Sequence, residues 1–282
     1  MRRLMISALT GLALVLSGGV HAQPLEDVIP RDLYTDALRQ NGNSITLCYN
    51  PDGMMAEFEA ELADAIGSVL LVNVELSPLD GSLIPTKPLD YRLPFLPEQI
   101  FLLLAEECDA IIGYVLSRSV PEWVLLTRPY LSTPGMLITR NSEINSLEDL
   151  PLDQVIGSRS LALSDNRLSS FLRARPEGQR WKRTPYYDNR RLLDRLDDGT
   201  VGAAVIWAPA LYYATEGDPE AAGYHILPLP FPDNRTQFGI ATRSNNTYLN
   251  SILSEAIAEL VNDGTIAEMS ERHHLGPDNL PE

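Results

Sequence analysis

SITLCYNPDGMMAEFEAELADAIGSVLLVNVEL, residues 44–76, decides the architecture. Ser44-Ile-Thr-Leu-Cys48 is a short apolar run that reads as a strand. Phe58, Leu62, Ala65, Ile66 and Val69 follow at spacings of 4, 3, 1 and 3, the apolar stripe of an amphipathic helix over 56–67. Val69 to Leu76 is rich in β-branched residues and predicts a second strand. A loop with Pro78, Pro85, Pro88, Pro94 and Pro97 comes next, and Pro97 suits the first turn of a helix running to about Glu107. Asp109 to Tyr114 is a third strand. Short apolar strands alternating with helices predict a parallel sheet covered on both faces.

Upstream, Arg2 and Arg3 precede an apolar stretch from Leu4 to Val20, and Val20-His21-Ala22 supplies small residues for cleavage. Residues 1–22 therefore read as a cleavable signal peptide and predict a secreted, periplasmic chain. Residues 23–42 form a polar lead-in segment. No later stretch is apolar and long enough to span a bilayer. The 282 residues carry 22 basic and 38 acidic side chains, a net charge of −16, which loss of Arg2 and Arg3 makes more negative still. Such a field repels nucleic acid and suits a basic partner or plain solubility. In an oxidising compartment, the two cysteines, Cys48 and Cys108, favour one disulfide over a free buried pair.

Downstream the alternation returns. Strands are predicted at 154–157, 184–187, 202–207, 224–229 and 238–242, and helices at 165–175, 189–197, 248–261 and on to about His273. Two extended passages, near 128–140 and 233–243, carry the chain out of one α/β set and back. The fold class is thus α/β, two doubly wound lobes with a hinge and a central cleft. Lobe 1 takes residues 43–134 plus 238–282, and lobe 2 takes 135–237. In such sheets ligands bind beyond the carboxyl ends of the strands.

Taken in order, FEAELADAI (58–66), CDAIIGY (108–114), TRPYLSTPGMLITR (127–140) and FGIATR (238–243) with the terminal helices resemble the type II periplasmic solute-binding proteins of ABC importers, the bacterial extracellular solute-binding family 3. The resemblance covers nearly all of the chain after the signal. It implies a small-molecule ligand and an ABC permease as partner. Several positions depart from the amino-acid receptors of that family. The loop Arg that pairs with a ligand carboxylate falls on Val120 or Pro121, with Arg118 nearby. A Gly-Thr at a helix N-terminus is replaced by Leu161-Ala162, and the Asp that meets a ligand ammonium corresponds to Trp207. Burying a zwitterion without these partners costs several kcal/mol, so the departures argue against an ordinary amino acid.

A narrower resemblance is to the solute-binding proteins associated with quinoprotein (PQQ) alcohol dehydrogenases, including the methanol-oxidation J proteins. It rests on a Cys closing the first strand (ITLC), a Cys-Asp opening the third, the Thr-Arg-Pro-Tyr crossing at 127–130, and VIWAP at 205–209, where Ala208 replaces the expected Gly. It implies a periplasmic quinoprotein dehydrogenase as partner. An importer receptor for a small polar solute is the alternative, and a dehydratase-like enzyme on the same fold is a second one.

The strand ends nominate Tyr49, Asn50, Asp52, Tyr114, Ser117 and Arg118 in the first lobe as ligand-binding residues. In the second lobe they nominate Ser158, Arg159, Ser160, Trp207 and Tyr212. No nucleophile elbow, phosphate loop or metal-spaced Cys/His set occurs, so no catalytic residue, metal or cofactor is expected. His273-His274 reads as a surface pair, since adjacent helical residues point apart. Glu106-Glu107 and Asp197-Asp198 read as solvated helix ends.

Overall fold

A computed structural model describes residues 44–79, 97–116, 120–160, 162–232 and 235–281. The signal peptide, the lead-in, most of the proline-rich loop, Ser117, Arg118 and Leu161 lie outside the described residues. Among those described, no helix is long and apolar enough to cross a membrane.

Strand β1 (Ser44–Tyr49) leads into helix α1 (Ala56–Leu70), which outlasts its sequence stripe. Leu71 ends it in the left-handed region, φ 55°, with its N–H returned to the Gly67 carbonyl. Strand β2 (Asn73–Pro78) therefore begins four residues later than the run of β-branched residues suggests. Helix α2 (Pro97–Leu102) continues without a break as a π-helical turn to Glu107, where the sequence places its end. The wide turn, 103–107, closes with the Cys108 N–H on the Leu103 carbonyl at 2.9 Å. That turn delivers Cys108 to strand β3 (Ala110–Val115).

The first sheet is completed by β4 (Val124–Leu126), β5 (Leu131–Thr133) and the returning β11 (Thr236–Arg243), in the order β2-β1-β3-β11-β4 with β5 also paired to β11. Strand β1 runs parallel to both β2 and β3, the 2-1-3 order of a doubly wound sheet. Helix α1 packs on one face with α6 (Thr247–Asn262) and α7 (Thr265–Arg272), burying Phe58, Leu62, Ile66, Leu253 and Ile257. On the other face, Cys48 and Cys108 are bonded, their Cα atoms 5.6 Å apart, amid Leu104, Ile111 and fully buried Trp123. Register explains the meeting: Cys48 is paired with Ile111, so Cys108 arrives beside it just before β3 begins. The bond closes a 60-residue separation, worth about 4 kcal/mol in the chain-entropy account.

The second sheet is built from β6 (Gly135–Thr139), β7 (Val155–Arg159), β8 (Lys182–Tyr186), β9 (Ala203–Trp207) and β10 (His225–Leu227), ordered β10-β6-β9-β7-β8. Strands β7, β8 and β9 are parallel, whereas β6 and β10 are antiparallel additions. Helix α3 (Leu163–Ala174) covers one face and α4 (Asn189–Asp197) with α5 (Ala208–Ala214) the other, giving two separate apolar layers. Asp188 caps α4 by accepting the Arg191 N–H. The α/β fold of two helix-covered sheets is as the sequence predicts.

Asp197 is an exposed helix end, as expected, and it also takes part in a local network: Arg140 pairs with it at 2.7 Å and the Tyr224 hydroxyl donates to it at 2.9 Å. Burial first, then this contact, pushes the Tyr224 phenol up to about 12. His273 is partly buried at the surface, its ring edge-on to Phe58 and bonded to Glu61 at 2.7 Å.

Candidate functional site

The carboxyl ends of both parallel sets converge on the two crossings between the sheets. The end of β3 is antiparallel to the start of β11, with Tyr114 opposite Gly239 and Val115 opposite Phe238. The start of β11 also pairs with β5, Thr236 against Thr133. After β5 only Pro134 intervenes before Gly135 opens β6, and Gly135 sits opposite Trp207, the last residue of β9. The Ala208 N–H completes the junction on the Pro134 carbonyl at 3.0 Å. Strand pairing alone therefore aims the ends of β3 and β9 at the same place, from opposite sides.

Trp207 occupies that junction. Its ring packs against the core layers of both sheets, and lies 5.6 Å from Phe238 at 40°. Its indole Nε1–H donates to Thr133 Oγ1 at 2.7 Å, and that fully buried hydroxyl passes a bond to the Thr236 carbonyl at 3.1 Å. The indole is thus oriented by a first-sheet residue although β9 belongs to the second. Met54, in the turn after β1, reaches the apolar layer of the second sheet, and so also spans the gap. Phe238 and Met54 carry no sequence signal that marks them; only the pairing of β11 and the reach of the 50–55 turn put them here.

The other nominated residues divide. Tyr49 ends β1 half-buried, and Asn50 folds the chain behind it, its carbonyl accepting the Gly53 N–H at 3.0 Å and its side chain the Asp52 N–H at 3.2 Å. Asp52 is exposed on that turn. Tyr114 is half-buried against the disulfide layer, and burial raises its phenol above the ordinary range. Tyr49, Asn50, Tyr114 and Trp207 therefore share the crossing end of the sheets.

Ser158 and Arg159 lie within β7, since that strand extends two residues past the expected Gly157. The Ser158 side chain is fully buried and donates to Asp165 Oδ1 at 2.6 Å, while Arg183 on β8 pairs with the same carboxylate. This network ties the first turn of α3 to the sheet, so Ser158 is committed inside the fold and not to the gap. Arg159 is half-buried, and Ser160 follows with its N–H on the Tyr186 carbonyl at 2.7 Å. Tyr212, on α5, faces away from this group. Its ring lies against Gly276 in the C-terminal segment, and its phenol is raised by burial first, then by the charges of Glu220, Asp278 and Asp218.

The family's ionic grips can be traced on the chain. Val120, which with Pro121 marks where the resemblance expects an Arg, packs into the apolar layer around the disulfide. Ala162 forms the N-cap of α3 and contributes no side-chain bond. Among the described residues no cluster of three His, Cys, Asp or Glu side chains is arranged to hold a metal.

No protein-family model matches the chain, and no curated protein sequence matches it. Solved structures match its fold. Substrate binding domain 2 of GlnP from Lactococcus lactis, in an open conformation, superposes with a TM-score of 0.63 at 14% identity, covering 85% of this chain and 98% of that one. An ancestral cationic amino acid solute binding protein gives 0.61 at 19% identity, over 82% and 96% of the two chains. The amino acid ABC transporter substrate-binding protein AbpA from Streptococcus pneumoniae, bound to L-arginine, gives 0.54 at 18% identity, over 82% and 94%. The chain has the type II periplasmic binding protein fold.

Proposed function

We propose that this protein is the solute-binding component of an ABC importer, its lobes (43–134 with 238–282, and 135–237) closing on a small neutral solute with an apolar face. The observation that carries this reading is Trp207, held at the meeting point of the two sheets by Thr133 and flanked by Phe238. Pockets of this kind join aromatic walls to a few convergent polar groups. Here the walls are Trp207, Tyr49 and Tyr114, with Asn50 as a polar partner.

The neighbours of known structure include receptors described as binding amino acids, which supports a transport role. An amino-acid cargo fits the residues less well. A buried carboxylate and ammonium each require a charged partner, and the positions that supply them in the family correspond to Val120 or Pro121, Leu161-Ala162 and Trp207. A library of neutral aromatic and aliphatic solutes, screened by thermal shift beside arginine and glutamine, tests the reading. A solute present at 100 times its Kd stabilises by about 2.7 kcal/mol. Stabilisation by the two amino acids alone overturns it.

The second reading is a partner role with a periplasmic quinoprotein dehydrogenase. The Cys48–Cys108 bond and the acidic charge balance favour it. Recovery of a dehydrogenase by pull-down at low salt, lost at high salt, decides for that role.

A further inference from the structure

The chain does not stop at its last helix. After α7, Leu275 is buried in the first-sheet core, and the segment 274–279 then runs over the crossings toward the second sheet. Gly276 lies against the Tyr212 ring of α5: a Cβ there would stand 2.7 Å from Tyr212 Cδ2, and φ is +93°, so only glycine fits. His274 sits over Gly217 in the turn after α5. Both contacts join a first-sheet segment to a second-sheet helix.

The same segment is pinned to each crossing. Asn279 is 3% exposed, and its carbonyl accepts the Ser132 N–H of β5 at 2.8 Å. Its side-chain amide donates to the Leu275 and Gly276 carbonyls, both at 2.6 Å, fixing the turn that presents Gly276 to Tyr212. Arg235, on the return passage just before β11, donates to Ser132 Oγ at 3.0 Å and to the carbonyls of Ser132 and Asp278. His274 and Asp278 hold φ values of 52° and 56°, left-handed conformations that a side-chain-bearing residue adopts only when its surroundings impose them.

We infer that residues 274–279 act as a hinge brace, a further non-covalent link that restrains rotation of the two sheets about their crossings. Two peptide crossings are pivots and leave a rotation open. Contacts on Tyr212 and Gly217, one helix beyond β9, lie outside those pivots and oppose it. The brace also couples the crossings to each other, because Arg235 and Asn279 both hold Ser132.

The inference is tested on the whole chain with spin labels at Ser68→Cys and Asp153→Cys, exposed positions on opposite sides of the crossings. One variant ends at Pro277, and a second carries Tyr212→Ala with the tail intact. The distance distribution between labels broadens in both. Exchange of the Ser132 amide accelerates about tenfold in the truncated chain, the effect of losing one backbone hydrogen bond, while amides of β7 and β9 keep their protection. Should truncation unfold the protein, those β7 and β9 amides lose protection too, and Tyr212→Ala alone decides. An unchanged distribution in that variant overturns the brace.

Discussion

Replacing Trp207 separates the two ways in which it joins the sheets. Trp207→Phe keeps a ring facing Phe238 and removes the donor to Thr133 Oγ1. Thr133 is fully buried but retains its own bond to the Thr236 carbonyl, so the loss is that of one neutral hydrogen bond, about 1 kcal/mol. Trp207→Ala removes the ring as well. A fully buried Trp costs roughly 3–5 kcal/mol on truncation, and a half-buried one about half of that, so the total is about 2–3 kcal/mol. For a chain of this size 1 kcal/mol moves Tm by roughly 2–4 °C. Differential scanning fluorimetry should therefore place Phe about 3 °C and Ala about 7 °C below wild type, and urea midpoints should fall in the same order. Equal effects for the two variants would refute the account, since the ring would then contribute nothing beyond its N–H.

Cys48→Ala with Cys108→Ala opens the cross-link between β1 and β3 and should cost about 4 kcal/mol, read as a Tm roughly 10 °C lower. Asp165→Asn leaves the Arg183 guanidinium, 27% exposed, without its carboxylate, and should lower the urea midpoint by about 1–3 kcal/mol of stability. The Glu61 carboxyl is held below its ordinary value of 4.5, first by the His273 bond and also by Arg272. A depressed acid stabilises the fold above that ordinary value, and the contribution disappears as pH falls through the folded one. With Glu61 39% exposed the effect is under about 1 kcal/mol; Glu61→Gln should lower Tm slightly at pH 7 to 8, and the difference from wild type should vanish on the acid side of a Tm-against-pH curve.

Apolar periodicity carries the framework of the fold because strands and helices must bury one face whatever their neighbours are. Helix α4 was legible to the residue, and the parallel pairing of the first three strands followed from strand–helix–strand alternation. Element ends were less legible because they depend on tertiary contacts. The helix before β2 outlasted its stripe until Leu71 turned left-handed, and β7 ran on through Ser158 because its register with β8 and Asp165 held it extended. The crossing end that holds the candidate site was legible only where strand ends define it, at Tyr49, Asn50, Tyr114 and Trp207. Phe238 and Thr133 are brought there by the pairing of β5 and β11, segments far apart in sequence whose partners no local pattern names, and Met54 by the reach of the turn after β1. Tyr212 stood near the same strand end but turned toward Gly276, 64 residues later, in a tail that has no periodicity of its own.

The strand β11 has a bearing on how the molecule is made. It separates β3 from β4 in the first sheet, yet it is drawn from residues 236–243, after every strand of the second sheet has been synthesised. The second sheet is one uninterrupted stretch and has all its strands once residue 227 emerges. The later-numbered unit is thus the first able to consolidate, while the opening hundred residues wait as an incomplete sheet with β3 uncovered along one edge. A chain broken off before residue 236 would expose that edge to other copies of itself, which makes premature termination a route to aggregation and not to a working half-molecule.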